Sequence, residues 1–258
     1  MTQLVDFARL ALLCHYLDAP LLPPSFVRGR RRVRIGDMLV LELHGDPAEL
    51  NEVRAASAED MPRILDRFYV WTPAEGSSRR QLLLDSFFDV TARDFNDLVH
   101  VEQNRENIRN LIRSVTSEYS FRERPIIFDF GCGPGLSANI ACEMGIEVHG
   151  FDRCRNMRET ARQSGLLVLE PDEFARMPSE RYGGVFASYV LHLAPSAGDL
   201  KRAWELLKRG GVFVANFHKT AGMAEASFVL DGLASSVTAP TFPGCQYNHG
   251  PYRRYVRR

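Results

Sequence analysis

The stretch Pro125-Ile-Ile-Phe-Asp-Phe-Gly-Cys-Gly-Pro-Gly-Leu136 constrains this chain more than any other. An apolar run passes directly into Gly131-x-Gly133-x-Gly135, and a helical pattern follows. Glycines let a backbone turn sharply and approach a ligand with no Cβ in the way. A helix start behind them offers unpaired N–H groups and a positive dipole end to an anionic group. In an open α/β sheet the ligand crevice lies at the carboxyl ends of the strands, where such a loop sits.

The surrounding pattern fits that architecture. From about residue 81, short apolar runs at 125–130, 147–151, 166–170, 184–190 and 211–217 alternate with helical candidates at 136–144, 155–164, 172–177 and 197–209. Strands alternating with helices predict βαβ units, hence an α/β fold: a doubly wound, mostly parallel sheet with helices on both faces. Ahead of it, residues 1–80 read as a mainly helical extension. Helical spacing is expected over 3–18, 48–56 and 59–70, with a strand at Met38–Leu43 and a Pro/Gly/Ser-rich linker at 72–80. The expected division is therefore 1–80 and 81–258, the first part shaping a substrate pocket, a lid or an interaction surface.

Composition narrows the classes. Thirty-two basic residues balance 32 acidic ones, which disfavours a general polyanion binder needing a cationic excess. The five cysteines are widely spaced without a CxxC pair, so neither a disulfide framework nor a metal site is indicated. The apolar N-terminal stretch is interrupted by Asp6 and Arg9 and makes a poor signal peptide. No run approaches the roughly 20 apolar residues of a bilayer span. A soluble, cytoplasmic protein is expected.

Two acids distinguish the glycine loop from a dinucleotide fingerprint. The third glycine comes one residue early for GxGxxG, and Asp129 lies two residues before the first glycine, where a carboxylate suits an amino group better than a pyrophosphate. Asp152 lies 21 residues after Gly131, at the end of the next apolar run, where such folds place an acceptor for ribose hydroxyls. A ligand with both a ribose and an amino acid portion satisfies all three features.

With these motifs, FDFGCGPG (128–135), GFD (150–152), VFASYVLHLA (185–194) and LKRGGVFVANF (207–217), the chain resembles the class I, Rossmann-like S-adenosylmethionine-dependent methyltransferases. FFDVTARDFNDL (87–98) is similar to the helix preceding the core in many small-molecule members. The resemblance covers roughly residues 87–218. It implies S-adenosyl-L-methionine as cofactor, with Gly131, Gly133 and Gly135 cradling the methionine portion and Cys132 in the same loop. Asp129 would face the amino group, Asp152 would hold the ribose, and Arg153 and Cys154 would lie near the adenine. Asp172 and Glu173 are the candidates for the acid beside the adenine amino group, the spacing to Met177-Pro178 favouring Glu173. Backbone atoms around Ser188 would close the amino end. Phe95-Asn96 stands where the family usually has Tyr-Asp, and Gly183-Gly184 where Phe-Asp is common.

Methyl transfer from a sulfonium needs alignment, exclusion of water and, for some acceptors, removal of a proton. Candidates must project from the ends of the fourth and fifth strands of the core: Tyr189 and His192 at the first, Asn216, His218 and Lys219 at the second, histidine suiting a base near neutral pH. His149 and His100 fit structural roles. No metal-ligand spacing exists, and no Asn/Asp-Pro-Pro-aromatic tetrad follows the fourth strand. The expected activity is in-line methylation of a small-molecule acceptor, with no membrane partner and with a homodimer left open. Two alternatives stand beside it. One is an RNA methyltransferase using the five arginines from Arg28 to Arg34 and the terminal YRRYVRR, whose bland reading is a solvated face or a guarded edge strand. The other is a cofactor-binding protein that no longer methylates and serves as scaffold, regulator or non-methylating enzyme. MAEASFVLDGLASSV (223–237) reads as a lid helix; the antiparallel hairpin expected after it is hard to find, and the strand at 38–43 could replace it.

Overall fold

The structure, a computed structural model, describes residues 32–35, 38–43, 68–73, 88, 92–93, 95–117, 119, 125–193, 195–218 and 223–258. The chain divides into two compact units, Met1–Leu98 and Val99–Arg258. In the first, β1 (Arg32–Ile35), β2 (Met38–Leu43) and β3 (Phe68–Pro73) form an antiparallel sheet in that order. The strand expected at 38–43 is present. Of the helix expected over 59–70, residues 68–70 are instead part of β3, whose FYVWTP is the aromatic, β-branched composition that favours strands, and 59–67 lie outside the described residues. The linker's first two residues are likewise strand. The helices expected at 3–18 and 48–56 lie outside the described residues. A one-turn helix, α1 (Phe95–Leu98), closes this unit.

The second unit begins with α2 (Val101–Thr116). His100 caps its start by accepting a hydrogen bond from the Gln103 amide. Ile108, Leu111, Ile112 and Val115 fall at helical spacing and are buried. There follow β4 (Ile127–Phe130), α3 (Ser137–Met144), β5 (Val148–Phe151), α4 (Arg155–Gln163), β6 (Leu167–Val168), α5 (Pro171–Arg176), β7 (Tyr182–Ala187), a 3₁₀ turn at Leu191–Leu193, α6 (Ala197–Leu206), β8 (Leu207–Asn216), α7 (Met223–Leu233), β9 (Ser236–Thr238) and β10 (Tyr252–Val256). The sheet order is β6-β5-β4-β7-β8-β10-β9, the first five parallel and β10 antiparallel to both its neighbours.

Strand alternation sorts the side chains onto two faces. Phe128, Val185, Phe213 and Tyr255 join Phe174 of α5, Leu200 of α6 and Leu230 of α7. Ile127, Phe186, Val214 and Tyr252 join Leu111 of α2, Ile140 of α3 and Ala161 of α4. Gly183 and Gly184 explain their departure from the family pattern. A Cβ on Gly184 would collide with Val115, and one on Gly183 with Pro125. The bareness of Gly184 lets α2 lie directly on β7.

Two expectations about the end of the chain are corrected. The helix read over 223–237 stops at Leu233, and Ser236–Thr238 is strand β9. The antiparallel strand is supplied by the arginine-rich terminus itself, since β10 pairs Tyr252 with Asn216 and Val256 with Val212. Strand β2 pairs in the other sheet and does not replace it. YRRYVRR escapes recognition as an inner strand because its charges suggest solvent. Yet Tyr252 and Tyr255 are buried, and Arg257 donates to the carbonyls of Trp204, Glu205 and Leu207.

Candidate active site

The glycine loop leaves β4 with left-handed φ at Gly131 (79°), Gly133 (52°) and Gly135 (85°). The three glycines serve different ends. A Cβ on Gly131 would strike Val190, and one on Gly135 would come within 2.7 Å of the Ala161 backbone, so these two let the loop pack against the turn after β7 and against α4. A Cβ on Gly133 would have nothing within 4 Å. Gly133 is therefore the open glycine of the loop, where a ligand can come closest.

Beneath the loop, Asp129 is 2% exposed and its Oδ1 has no hydrogen-bond partner among the described residues. Burial raises its pKa to about 7; the nearby Ser137 hydroxyl lowers it in part, and the Asp152 charge raises it further. A buried carboxylate oxygen without a donor is costly unless a cation or donor meets it. Cys132 is buried, and its thiol is pushed well above the usual range by burial and by Asp129 and Asp152, so it packs rather than reacts.

Asp152 ends β5 and ties the loop down: Oδ2 accepts from Gly133 N at 3.0 Å and Oδ1 from Cys154 N at 2.9 Å. An ionised carboxylate has about four acceptor positions, so further donors can still be met. Arg153 is exposed and Cys154 buried. Beside them is a group absent from the sequence-based expectations. The buried Arg158 donates to the carbonyls of Asp152 and Arg153 and to Glu170, which also holds Arg162. Burial raises the Glu170 carboxyl, and the two guanidiniums outweigh it, leaving the group below the usual range. The turn carrying Asp152 is thus clamped from behind. An amphipathic α4 offers no signal that one of its arginines points inward.

Asp172 and Glu173 both fall in the first turn of α5. Glu173 accepts from the Glu170 amide at 2.8 Å in a reciprocal capping box, whereas Asp172 pairs with Arg176 at 3.7 Å in the open. His149 bonds Tyr182 and Glu147, and His100 caps α2; both are structural, as expected.

Across the carboxyl edge of the sheet, three of the expected candidates come together, while Lys219 lies outside the described residues. The Tyr189 and His218 rings lie 5.2 Å apart edge to face, and His192 and His218 lie 6.4 Å apart. His192 is buried and His218 exposed. Tyr189 holds a left-handed φ of 55°, unusual for a bulky residue, and its amide donates to Asn216 Oδ1 at 2.8 Å. Ser188 Oγ accepts from Asn107 Nδ2 at 2.8 Å.

Sequence reasoning missed most of what holds this edge. Asn216, fully buried, also accepts from Asn107 at 3.0 Å and donates to the His249 carbonyl at 2.9 Å. Asn107 Oδ1 accepts from Tyr252 at 2.7 Å. Glu106 accepts from the amides of Gln246 and Tyr247 and lies 2.9 Å from His249 Nε2; His249 Nδ1 in turn lies 2.5 Å from the Tyr189 hydroxyl. Polar residues on the inward face of α2 were the available signal. Among the described residues, Glu106, Cys245 and His249 are close enough to share a metal ion, but these hydrogen bonds already engage Glu106 and His249.

The methyltransferase-domain family model matches residues 128–215. No curated protein sequence matches the chain. Magnesium protoporphyrin IX methyltransferase (ChlM) from Synechocystis PCC 6803, solved with bound SAM, is similar over 72% of this chain and 100% of its own, at 16% identity and a TM-score of 0.56. The same enzyme with bound SAH gives 15% identity, 69% and 98% coverage and a TM-score of 0.50. A putative S-adenosyl-L-methionine-dependent methyltransferase from Methanococcus maripaludis gives 13% identity, 71% and 96% coverage and 0.50. These likenesses establish the fold. The family match covers the glycine loop and the strands that follow it, residues 128–215, and over that stretch the chain is similar to methyltransferase domains. No helix among the described residues is long and apolar enough to cross a membrane.

Proposed function

We propose that the protein methylates a small-molecule acceptor, with S-adenosylmethionine held by the β4 and β5 ends and the acceptor met by Tyr189, His192 and His218. The observation that carries the cofactor half is the buried Asp129 Oδ1 without a donor beneath the open Gly133. An α-ammonium group supplies the missing donor and charge, and returns the carboxyl to its ionised form. When bound, the cofactor provides an electrophilic methyl group on a sulfonium. Asp152 keeps the loop in place and has acceptor capacity left for ribose hydroxyls. The Tyr189–His218–His192 cluster orients the acceptor and takes its proton.

A small acceptor is favoured over RNA by the terminal segment. The two tyrosines that would stack on bases are buried in β10, Arg253 pairs with Asp231 at 3.6 Å, and Arg257 is engaged with backbone carbonyls. Of the first arginine cluster, Arg28, Arg30 and Arg31 lie outside the described residues, while Arg32 and Arg34 belong to β1.

Calorimetry with S-adenosylhomocysteine tests the reading. The wild type should bind with a dissociation constant in the micromolar range, and Asp152→Ala should weaken binding at least tenfold. An absence of wild-type binding would refute the cofactor assignment, and unchanged affinity in Asp152→Ala would remove that residue from the site.

A further inference from the structure

The hydrogen-bonded chain behind Tyr189 is not used by the function proposed above. Glu106, from α2, and His249, from the segment before β10, meet only through the fold, being separated by most of the catalytic unit. His249 is 2% exposed. Burial raises the Glu106 carboxyl, and hydrogen bonds from the Gln246 and Tyr247 amides and from His249 outweigh it, so the group lies below the usual range and is ionised at neutral pH. An ionised carboxylate only accepts, so in a neutral His249 it is Nε2 that carries the proton. Nδ1 is then an acceptor, and the Tyr189 hydroxyl donates to it. Gln103 Nε2, 3.3 Å from the same oxygen, donates to Tyr189.

The geometry points to a Glu106–His249–Tyr189 proton relay that makes Tyr189 the base facing the acceptor, with Glu106 and His249 as positioning residues. The inference rests on the methyltransferase reading and deepens it by naming the acceptor class: a group whose reacting oxygen carries a proton at neutral pH that must leave, such as a phenol. As an acceptor lone pair forms the bond to the methyl carbon, the carbon–sulfur pair returns to sulfur. The acceptor's proton passes to Tyr189 Oη and the phenol's own proton to His249 Nδ1. The resulting imidazolium is held against the Glu106 carboxylate. The left-handed backbone of Tyr189, fixed by Asn216, aims the ring into this chain and beside His218. The other titratable groups around His249 are Cys245, within 4.8 Å, and the rings of Tyr247 and Tyr252 at 6.4 and 6.1 Å. All are neutral when protonated, which leaves Glu106 as the nearby group whose charge controls His249.

Histidine NMR of the full-length, ¹⁵N-labelled protein reads the relay without any ligand. Neutral His249 should carry its proton on Nε2, read from the ¹⁵N shifts of its two ring nitrogens. Glu106→Gln, whose amide can donate as well as accept, should raise the share of the Nδ1-protonated tautomer. The Tyr189 ¹³Cζ resonance should shift in His249→Asn, which removes the Nδ1 acceptor. A proton on Nδ1 of the wild type would overturn the relay, and it is measured even where a variant folds poorly. Kinetics supply the second arm, with tritiated S-adenosylmethionine and a panel of phenols. Wild type should methylate members of the panel, and His249→Asn should lower kcat about a hundredfold while KM stays within threefold. An undiminished kcat in His249→Asn overturns the relay, and failure of the wild type on every phenol overturns the acceptor class. Failure of the methyltransferase reading is distinguishable, because it appears as an absence of S-adenosylhomocysteine binding, which these variants do not affect.

Discussion

Two groups of buried polar atoms lie at the carboxyl edge of one sheet, and they are built on opposite terms. At the end of β4, Asp129 is buried with an oxygen that no described residue satisfies. At the end of β8, Asn216 is buried more completely, and its oxygen accepts from Tyr189 and Asn107 while its nitrogen donates to the His249 carbonyl. The first arrangement is unstable by itself and gains from a cationic ligand. The second is self-sufficient and holds other side chains where chemistry can use them. Unsatisfied polarity marks the place for a binding partner, whereas satisfied polarity marks a scaffold.

The same contrast governs what could be read from the sequence. The residues proposed for the cofactor are local: a strand, three glycines and an acid occur within the nine residues 127–135, and Asp152 follows at a fixed spacing. Backbone geometry demands those residue types, so they form a pattern. The proposed acceptor side is assembled from α2, the ends of β7 and β8 and the segment before β10. Nothing in the spacing of Glu106, Asn107, Asn216 and His249 predicts that they meet. That Tyr189, His192 and His218 come together was legible because they follow strands already recognised. The five parallel strands were legible for the same reason as the loop, although β6 is shorter than its apolar run and β8 longer. The seventh-strand role of the terminus was hidden because its arginines look like a solvated tail, while Tyr252 and Tyr255, three residues apart, enter the cores on opposite faces of the sheet.

The largest effect expected separates fold from binding within the glycine loop. Gly135→Ala places a Cβ against the Ala161 backbone at a left-handed φ, so strain and overpacking together should cost roughly 3 to 5 kcal/mol. Gly133→Ala meets no atom and should cost about 1 to 2 kcal/mol from backbone strain alone. The order reverses for ligand: among protein that folds, Gly133→Ala should lose more S-adenosylhomocysteine affinity than Gly135→Ala. Chemical denaturation and calorimetry on both variants check this. Equal stability losses would show that the packing assigned to Gly135 is wrong.

On the acceptor side, Asn216→Ala removes an acceptor from the Tyr189 amide and from Asn107 and a donor from the His249 carbonyl. Leaving those buried groups unpaired should cost about 3 kcal/mol. If the two edges are separate, S-adenosylhomocysteine affinity in the folded fraction should stay within threefold of wild type. A tenfold loss would mean that the backbone near Ser188 transmits the change to the cofactor, and the two regions would then be one site.

The smallest effect has the opposite sign, and pH exposes it. The folded Asp129 carboxyl keeps its proton up to a pKa of about 7, whereas the unfolded one releases it near the ordinary 3.8. Between those values the unfolded chain gains by ionising and the folded chain does not. Stability of the ligand-free protein should therefore fall as pH rises through that window and level off above it. The displacement corresponds to roughly 4 kcal/mol at most. Asp129→Asn cannot ionise, so its stability curve should lack this slope, and at neutral pH it should exceed wild type by about 2 kcal/mol, since a buried amide still lacks partners. S-adenosylhomocysteine should bind the variant at least tenfold more weakly, because the ammonium loses its counter-charge. Thermal melts from pH 4 to 8, with and without S-adenosylhomocysteine, carry both readouts. Loss of stability in Asp129→Asn together with loss of affinity would place Asp129 among the structural residues, and the contrast with Asn216 would disappear. A gain in stability with a loss of affinity would mean that folding stability is given up at this position in exchange for binding.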